Sequence, residues 1–504
     1  MEMIYVSTRD RTREVPSARA IMDGIAPDGG LYTPAALPTL THALMEELKP
    51  LGYAGRAAKI LSLFLTDFTA EELAEYTRAA YNPGKFAHPK GYPASAPDVD
   101  GIAVRTLNKV ENMLELYWGP TSAFKDMALQ LLPYLLTASM KKCGETRTVC
   151  ILVATSGDTG KAALEGFRDV PGTQIVVFYP REGVSDVQRL QMVTQEGDNV
   201  GVCAVEGNFD DAQTGVKKTF GDPEVRAELA RHGRLFSSAN SINFGRLVPQ
   251  IVYYISGYLD LVRRGAIHDG ERINICVPTG NFGNILAAVF AKHMGLPVGK
   301  LICASNANNV LTDFLNTGVY DRNRPFHKTL SPSMDILISS NVERLLYYIS
   351  GGSTAYVRER MESLKTTGRY EVNPELLREF TGICCDDTVT RATIREVFER
   401  DGYLIDPHTA VAVYAAREYR KRTGDDTPQL IASTASAFKF CAGVLEALTG
   451  HPADNDFDAI DRLAEYTHEP PPAPLTGLRG KDIRFSGCTT KDGISDAALK
   501  LLIK

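Results

Sequence analysis

The sequence predicts an α/β fold, with open, mostly parallel sheets covered by helices on both faces and a separate helical unit ahead of them. Two observations carry this. From about residue 101 onward, short Val- and Ile-rich runs alternate with amphipathic helix patterns, the signature of parallel strands joined by crossover helices. Before that point no such alternation exists; three helix patterns are followed by a Pro-rich stretch.

The elements follow in order. Helix patterns cover residues 45–48, 53–65 and 71–80, the last two opening after Gly52 and Thr69, which suit a helix start. Residues 82–100 carry four prolines and read as a linker. Residues 127–136 form a strongly apolar helix. Strands at 148–153, 174–179 and 200–205 alternate with helices at 160–167, 186–194 and 210–220. The apolar stretch 247–262 is broken by Pro249, Gln250, Gly257 and Asp260 and reads as a buried helix, too interrupted to span a membrane. A strand at 272–277 feeds a helix from Asn284, and one at 429–432 feeds a helix from Phe438. The expected organisation is an N-terminal unit over 1–90, two α/β subdomains over 91–465, and a C-terminal tail over 466–504 announced by EPPPAP.

Composition bounds the function. In 504 residues, 55 Lys and Arg oppose 61 Asp and Glu, giving a net charge of −6 that argues against nucleic-acid binding as the main task. The first residues, MEMIYVSTRDRTREV, carry charge early and lack the apolar centre of a signal peptide. Nine cysteines without a Cys-x-x-Cys pair fit reduced thiols, and the expected location is the cytoplasm. Nine dispersed histidines supply no zinc-type spacing, so no metal site is expected.

Open parallel sheets bind ligands at the loops leaving the carboxyl ends of their strands, and three such loops stand out. The first runs Ala154-Thr155-Ser156-Gly157-Asp158-Thr159-Gly160-Lys161. Its glycines and hydroxyls at a helix start suit an anion. It is not a nucleotide P-loop, because Thr155 stands where the first glycine is required and Ala162 where Ser or Thr should follow the lysine. The second, Pro278-Thr279-Gly280-Asn281-Phe282-Gly283-Asn284, has two glycines that permit a main-chain phosphate nest, without the G-x-G-x-x-G of dinucleotide folds. The third places Thr434 just past a strand end. To these is added Lys125, at the start of an apolar helix, where a positive helix end and apolar neighbours lower a lysine's pKa, as Schiff-base chemistry needs. A nest for a phosphate, such a lysine and a hydroxyl for a pyridine nitrogen together point to pyridoxal 5′-phosphate (PLP). A neutral hydroxyl at the ring nitrogen weakens the electron sink and favours elimination and replacement over transamination.

The sequence resembles the threonine synthases of the longer type, within fold type II of the PLP enzymes (tryptophan synthase β-like), over nearly its whole length. The resemblance is carried by Tyr5-Val6-Ser7-Thr8-Arg9, Ala26-Pro27-Asp28-Gly29-Gly30, Gly119-Pro120-Thr121 with Ala123-Phe124-Lys125-Asp126, and Ala154 through Gly160. It continues through Val205 to Asp211, Asn240-Ser241-Ile242-Asn243, Pro278 through Asn284, and Ser331 through Ile336. It implies that Lys125 holds PLP and acts as acid and base. It further implies that Gly280, Asn281, Phe282, Gly283 and Asn284 bind the cofactor phosphate, that Thr434 faces the pyridine nitrogen, and that Ser156, Asp158 and Thr159 meet the substrate carboxylate or cofactor O3′. For the substrate phosphate the candidates are Lys161, Arg189, Asn243 and Arg246. One departure stands out: Ser436 and Ala437 occupy positions where many relatives carry His-Pro, while Lys439 and Phe440 are kept. The implied reaction converts O-phospho-L-homoserine and water to L-threonine and phosphate by β,γ-replacement, in a monomer or a homodimer. A related phospholyase releasing a 2-oxo acid, and a non-catalytic binding protein on the same fold, are the alternatives.

Overall fold

A computed structural model describes residues 2–88, 102–155, 157–181 and 184–503. The boundary expected at residue 90 and most of the Pro-rich linker lie outside the described residues.

The α/β architecture is as expected. The larger sheet has six strands in the order Phe380–Cys384, Val298–Ser305, Ile273–Pro278, Gln429–Ser433, Glu111–Glu115 and Ala103–Thr106. All its neighbours are parallel except the last pair, an antiparallel hairpin. The smaller sheet has five parallel strands in the order Cys488–Thr490, Val200–Glu206, Thr173–Pro180, Thr148–Ala154 and Arg234–Ser237. Strands such as Ile273–Pro278 are buried at every position, which is why they read as unbroken apolar runs.

Two expectations are corrected. The apolar stretch 127–136 is two helices, Asp126–Leu129 and Leu132–Lys142. Pro133 lacks the N–H that a continuous helix would need and instead sits in the first turn of the second helix, where none is required. The C-terminal residues are not a surface tail. Cys488–Thr490 adds an edge strand to the smaller sheet. The helix Ile494–Leu502 buries Ile494, Ala498 and Leu502 in that layer's core. Its apolar spacing of four is what seats it there.

The N-terminal unit is helical, as expected, with one addition: a two-stranded antiparallel hairpin, Tyr5–Ser7 with Tyr32–Pro34. Its helix Tyr53–Ser62 packs on the long helix Phe244–Arg263, where the buried pair Arg56–Asp260 closes at 2.8 Å. Among the described residues no helix is long and apolar enough to cross a membrane.

Candidate active site

The loops leaving the strands Thr148–Ala154, Ile273–Pro278 and Gln429–Ser433 converge on one cavity of about 240 Å³ between the two sheets, as do Lys125 and Arg246. Lys125 caps the short helix Asp126–Leu129 and is buried. Its Nζ lies 3.3 Å from Asp158 Oδ2 and 3.3 Å from Ser333 Oγ. Burial pulls its pKa below the ordinary lysine value; Asp158 opposes this, while Lys439 and Arg246 add to it.

Asp158 is the electrostatic centre. Its Oδ1 takes Lys439 Nζ at 2.9 Å and Gln188 Nε2 at 3.0 Å, and its Oδ2 takes Ser333 Oγ at 3.1 Å besides Lys125. Burial alone would raise its pKa, but Lys439 and Lys125 together hold it well below the usual carboxylate range. Lys439 is fully buried and also donates to the Thr121 carbonyl at 2.8 Å. Thr155 Oγ1 accepts from the amides of Gly157 and Gly160 at 3.0 and 2.9 Å, fixing the start of the helix Asp158–Phe167.

The second loop is built as a nest. Phe282 adopts φ 63°, the left-handed region, and opens the helix Gly283–Met294. Asn284 folds back, its Nδ2 donating to the Pro278 carbonyl at 2.8 Å. The carbonyls of Gly280 and Asn281 are held by Ser339 Oγ at 2.8 Å and Asn341 Nδ2 at 3.0 Å. In a trans peptide the next N–H points the opposite way, so this turns the amides of Asn281 and Phe282 away from 339–341. Two outward amides followed by a helix N-terminus form an anion site.

Arg246 is buried, with Nη1 donating to the Ala239 carbonyl at 2.6 Å and Nε left without a hydrogen-bond partner. Burial pushes it down to about 10, so it stays a cation at neutral pH. A buried cation facing a cavity with an unused donor suits an anionic ligand.

Of the expected residues, Lys125, Asp158, Thr159, Gly280, Asn281, Gly283, Asn284, Thr434 and Arg246 line this cavity. Ser156 lies outside the described residues. Phe282 contributes its backbone only, since its ring is buried 6.1 Å from that of Phe380. Three phosphate candidates are corrected. Lys161 turns along its helix to Glu165 at 3.0 Å and to Gln195, on a different small cavity. Arg189 faces its own helix start, 3.7 Å from Asp186. Asn243 caps the helix Phe244–Arg263 and spends its amide on the Ile21 and Ser238 carbonyls at 3.0 and 2.8 Å.

Sequence reasoning missed His408. Its Nδ1 is 2.6 Å from Asp406 Oδ2, and its Nε2 accepts from the Ser333 amide at 3.2 Å. An amide can only donate, so the ring proton sits on Nδ1. His408 thereby fixes the segment whose hydroxyl touches Lys125. The Asp-Pro-His-Thr run at 406–409 is an N-cap pattern, and nothing in it announces a partner 75 residues away. At the departure noted above, Ser436 is buried, its amide on the Ser122 carbonyl at 3.1 Å.

The fold and this site define a PLP-dependent enzyme of fold type II. Three family descriptions match along the chain: Threonine synthase N terminus at residues 4–81, Pyridoxal-phosphate dependent enzyme at 113–434, and Threonine synthase, C-terminal at 409–493. The chain belongs to the threonine synthase family. Threonine synthase of Pseudomonas aeruginosa is 40% identical over 454 residues, covering 89% of this chain and 91% of that protein. Threonine synthase-like 1 of Homo sapiens is 40% identical over 445 residues, 86% of this chain, and the match spans only 58% of that longer protein. PLP-bound threonine synthase from Brucella melitensis has a TM-score of 0.85 to this chain at 35% identity, covering 99% of both. Threonine synthase from Escherichia coli gives 0.76 at 30% identity, covering 100% of both.

Proposed function

We propose that the chain is a PLP-dependent threonine synthase, converting O-phospho-L-homoserine and water to L-threonine and phosphate. The observation that carries this is one cavity holding a buried lysine amine, a nest of outward amides and, apart from the nest, an unsatisfied buried arginine. Two separate anion sites fit a phosphorylated cofactor and a phosphorylated substrate. The residues present fit PLP: Lys125 would hold its aldehyde carbon, the amides of 281–284 its phosphate, and Thr434 its ring nitrogen.

When bound, PLP supplies an electron sink for a carbanion at the substrate α-carbon. With PLP bound, the Lys125 amine would be the base beside that carbon, its pKa lowered by burial. Asp158 and Ser333 receive the ammonium it becomes and keep it in place to return the proton. Arg246 holds the substrate phosphate and stabilises the charge that grows as the Cγ–O bond breaks. Thr159 and the helix start at Asp158 take the substrate carboxylate. In the balance, phosphate leaves Cγ and a proton arrives there, while Cβ gives up one proton and takes its hydroxyl from water.

The test is to incubate purified protein with PLP and O-phospho-L-homoserine and quantify phosphate, threonine and 2-oxobutyrate together. Equal phosphate and threonine is the expected result. Phosphate with the oxo acid would replace this reading by the phospholyase one, and no phosphate at all would overturn both.

A further inference from the structure

We infer that Arg344 is a positioning residue through which the N-terminal unit sets the geometry of the phosphate nest, an inference that rests on reading the amides of 281–284 as the cofactor-phosphate site. The chain of contacts starts at the nest. Asn341 holds the Asn281 carbonyl twice, from its backbone amide at 3.1 Å and from Nδ2 at 3.0 Å, and the same Nδ2 reaches the Ser241 carbonyl at 3.2 Å. Those contacts require the NH2 end of the Asn341 side chain to face the nest. A side-chain amide is nearly symmetric in shape and could turn over. Arg344 forbids this, because its Nη1 donates to Asn341 Oδ1. Turning the amide over would set NH2 against a guanidinium.

Arg344 itself is placed by the N-terminal hairpin. It is completely buried, yet each of its hydrogen bonds goes to an amide carbonyl oxygen. Nε and Nη2 both donate to the Tyr32 carbonyl, at 3.0 and 2.8 Å, and Nη2 also donates to the Ile242 carbonyl at 2.6 Å. Tyr32 begins the second hairpin strand, Tyr32–Pro34, and Ile242 belongs to the wall of the cavity. The guanidinium therefore joins the N-terminal hairpin, the cavity wall and the support of the nest. The adjacent residue docks the same hairpin, with Glu343 Oε1 accepting from Thr8 Oγ1 at 2.6 Å and Oε2 paired with Arg9 at 2.8 Å. A planar fork of five donors can serve three directions at once, and a lysine ammonium on a flexible stem cannot reproduce it. Burying a guanidinium whose hydrogen bonds all go to neutral carbonyl oxygens is costly. That cost has a function if the fork orients the nest.

The experiment measures cofactor binding instead of turnover. The apo forms of wild type, Arg344→Lys and Asn341→Ala are titrated with PLP and, separately, with pyridoxal, which has the aldehyde and ring but no phosphate. Binding is followed by the visible absorbance of the bound ring and by quenching of Trp118. The expected result is a loss of PLP affinity of about tenfold in Arg344→Lys, with pyridoxal affinity changed less than about twofold. Asn341→Ala should give the same pattern, and the double variant no larger loss, because both act along one path. Should Arg344→Lys fail to fold, Asn341→Ala alone carries the prediction. An unchanged PLP-to-pyridoxal ratio in the variants, including an equal loss for both ligands, overturns the role of Arg344. A wild type that binds pyridoxal as tightly as PLP overturns instead the reading of the nest, so the two failures are distinguishable.

Discussion

Lys439→Met is the most informative single change. Lys439 and Lys125 flank Asp158 at 2.9 and 3.3 Å, all three side chains being buried. With an effective dielectric constant of about 20, Coulomb's law gives each pair roughly 5–6 kcal/mol. Much of that offsets the desolvation of the charges, so the measurable quantity is the penalty of leaving Asp158 short of a cation. Gln188 and Ser333 continue to donate to the carboxylate, which limits the penalty to about 3–5 kcal/mol, typical of a broken buried pair. Met is close to Lys in volume, so no large cavity adds to it. Urea unfolding of the apo protein followed at Trp118, the single tryptophan, reads the change. The pH dependence supplies the sign. In the wild type Asp158 lies well below its ordinary value, so its stabilisation is complete above about pH 4 and is lost as pH falls through the folded value. Without Lys439, burial moves Asp158 upward, protonation relieves the variant, and its deficit should shrink between pH 7 and pH 5. A loss below about 1 kcal/mol at pH 7, or a deficit that does not change with pH, would refute the placement of Asp158 as an ionised centre held by two lysines.

Three further outcomes are expected. Lys125→Ala should retain no visible cofactor absorbance after dialysis and should lose at least about a thousandfold in kcat, since it removes both attachment and proton transfer. Arg246→Met should weaken binding of the phosphorylated substrate about 10–100-fold, read as a raised KM, while cofactor content measured by absorbance stays at the wild-type level. Asp126, buried and accepting from the Thr121 amide and hydroxyl at 2.8 and 2.7 Å, is pushed up to about 6 by burial. Its folded value lies above the unfolded one, so the wild type loses stability as pH rises from about 4 through 6. Asp126→Asn should gain relative to it by up to about 3 kcal/mol by pH 7 in paired urea titrations.

The parts of the fold that were legible in the sequence are those written in local periodicity. The strands at 148–154, 173–180, 200–206, 273–278 and 429–433 appear where the Val and Ile runs fall, and the crossover helices between them appear where the apolar spacing shifts toward 3.6. The loops at their carboxyl ends converge on one cavity for the same reason, because parallel strands all point one way. Pro133 marks the helix break in the sequence too, inside an apolar run whose spacing is continuous across it. Harder to see was the return of residues 488–502 to the smaller sheet. Three strand residues and a nine-residue helix carry little pattern, and their place depends on the exposed edge left by Val200–Glu206.

Side-chain choice at the site divides along the same line. Gly280, Gly283 and Thr434 are legible because they stand in loops leaving strand ends, and Lys125 because a cation at a helix start opposes the helix dipole. Lys161, Arg189 and Asn243 are cations or donors in loops and helix starts expected on the same face, and each instead satisfies a nearer partner: a glutamate one turn on, an aspartate in the same turn, and two carbonyls of neighbouring segments. Proximity along the chain fixes which loop a long side chain leaves, but its polar end goes to whichever counter-charge the fold brings closest. Arg344 shows the converse. Its partners Tyr32 and Ile242 are 312 and 102 residues away, and in the sequence it is one of 55 basic residues, in a helix, after a glutamate. Only the docked hairpin turns it from an ordinary helical arginine into the link between the N-terminal unit and the nest, so the contribution of that unit to the site lies in packing that no local pattern records.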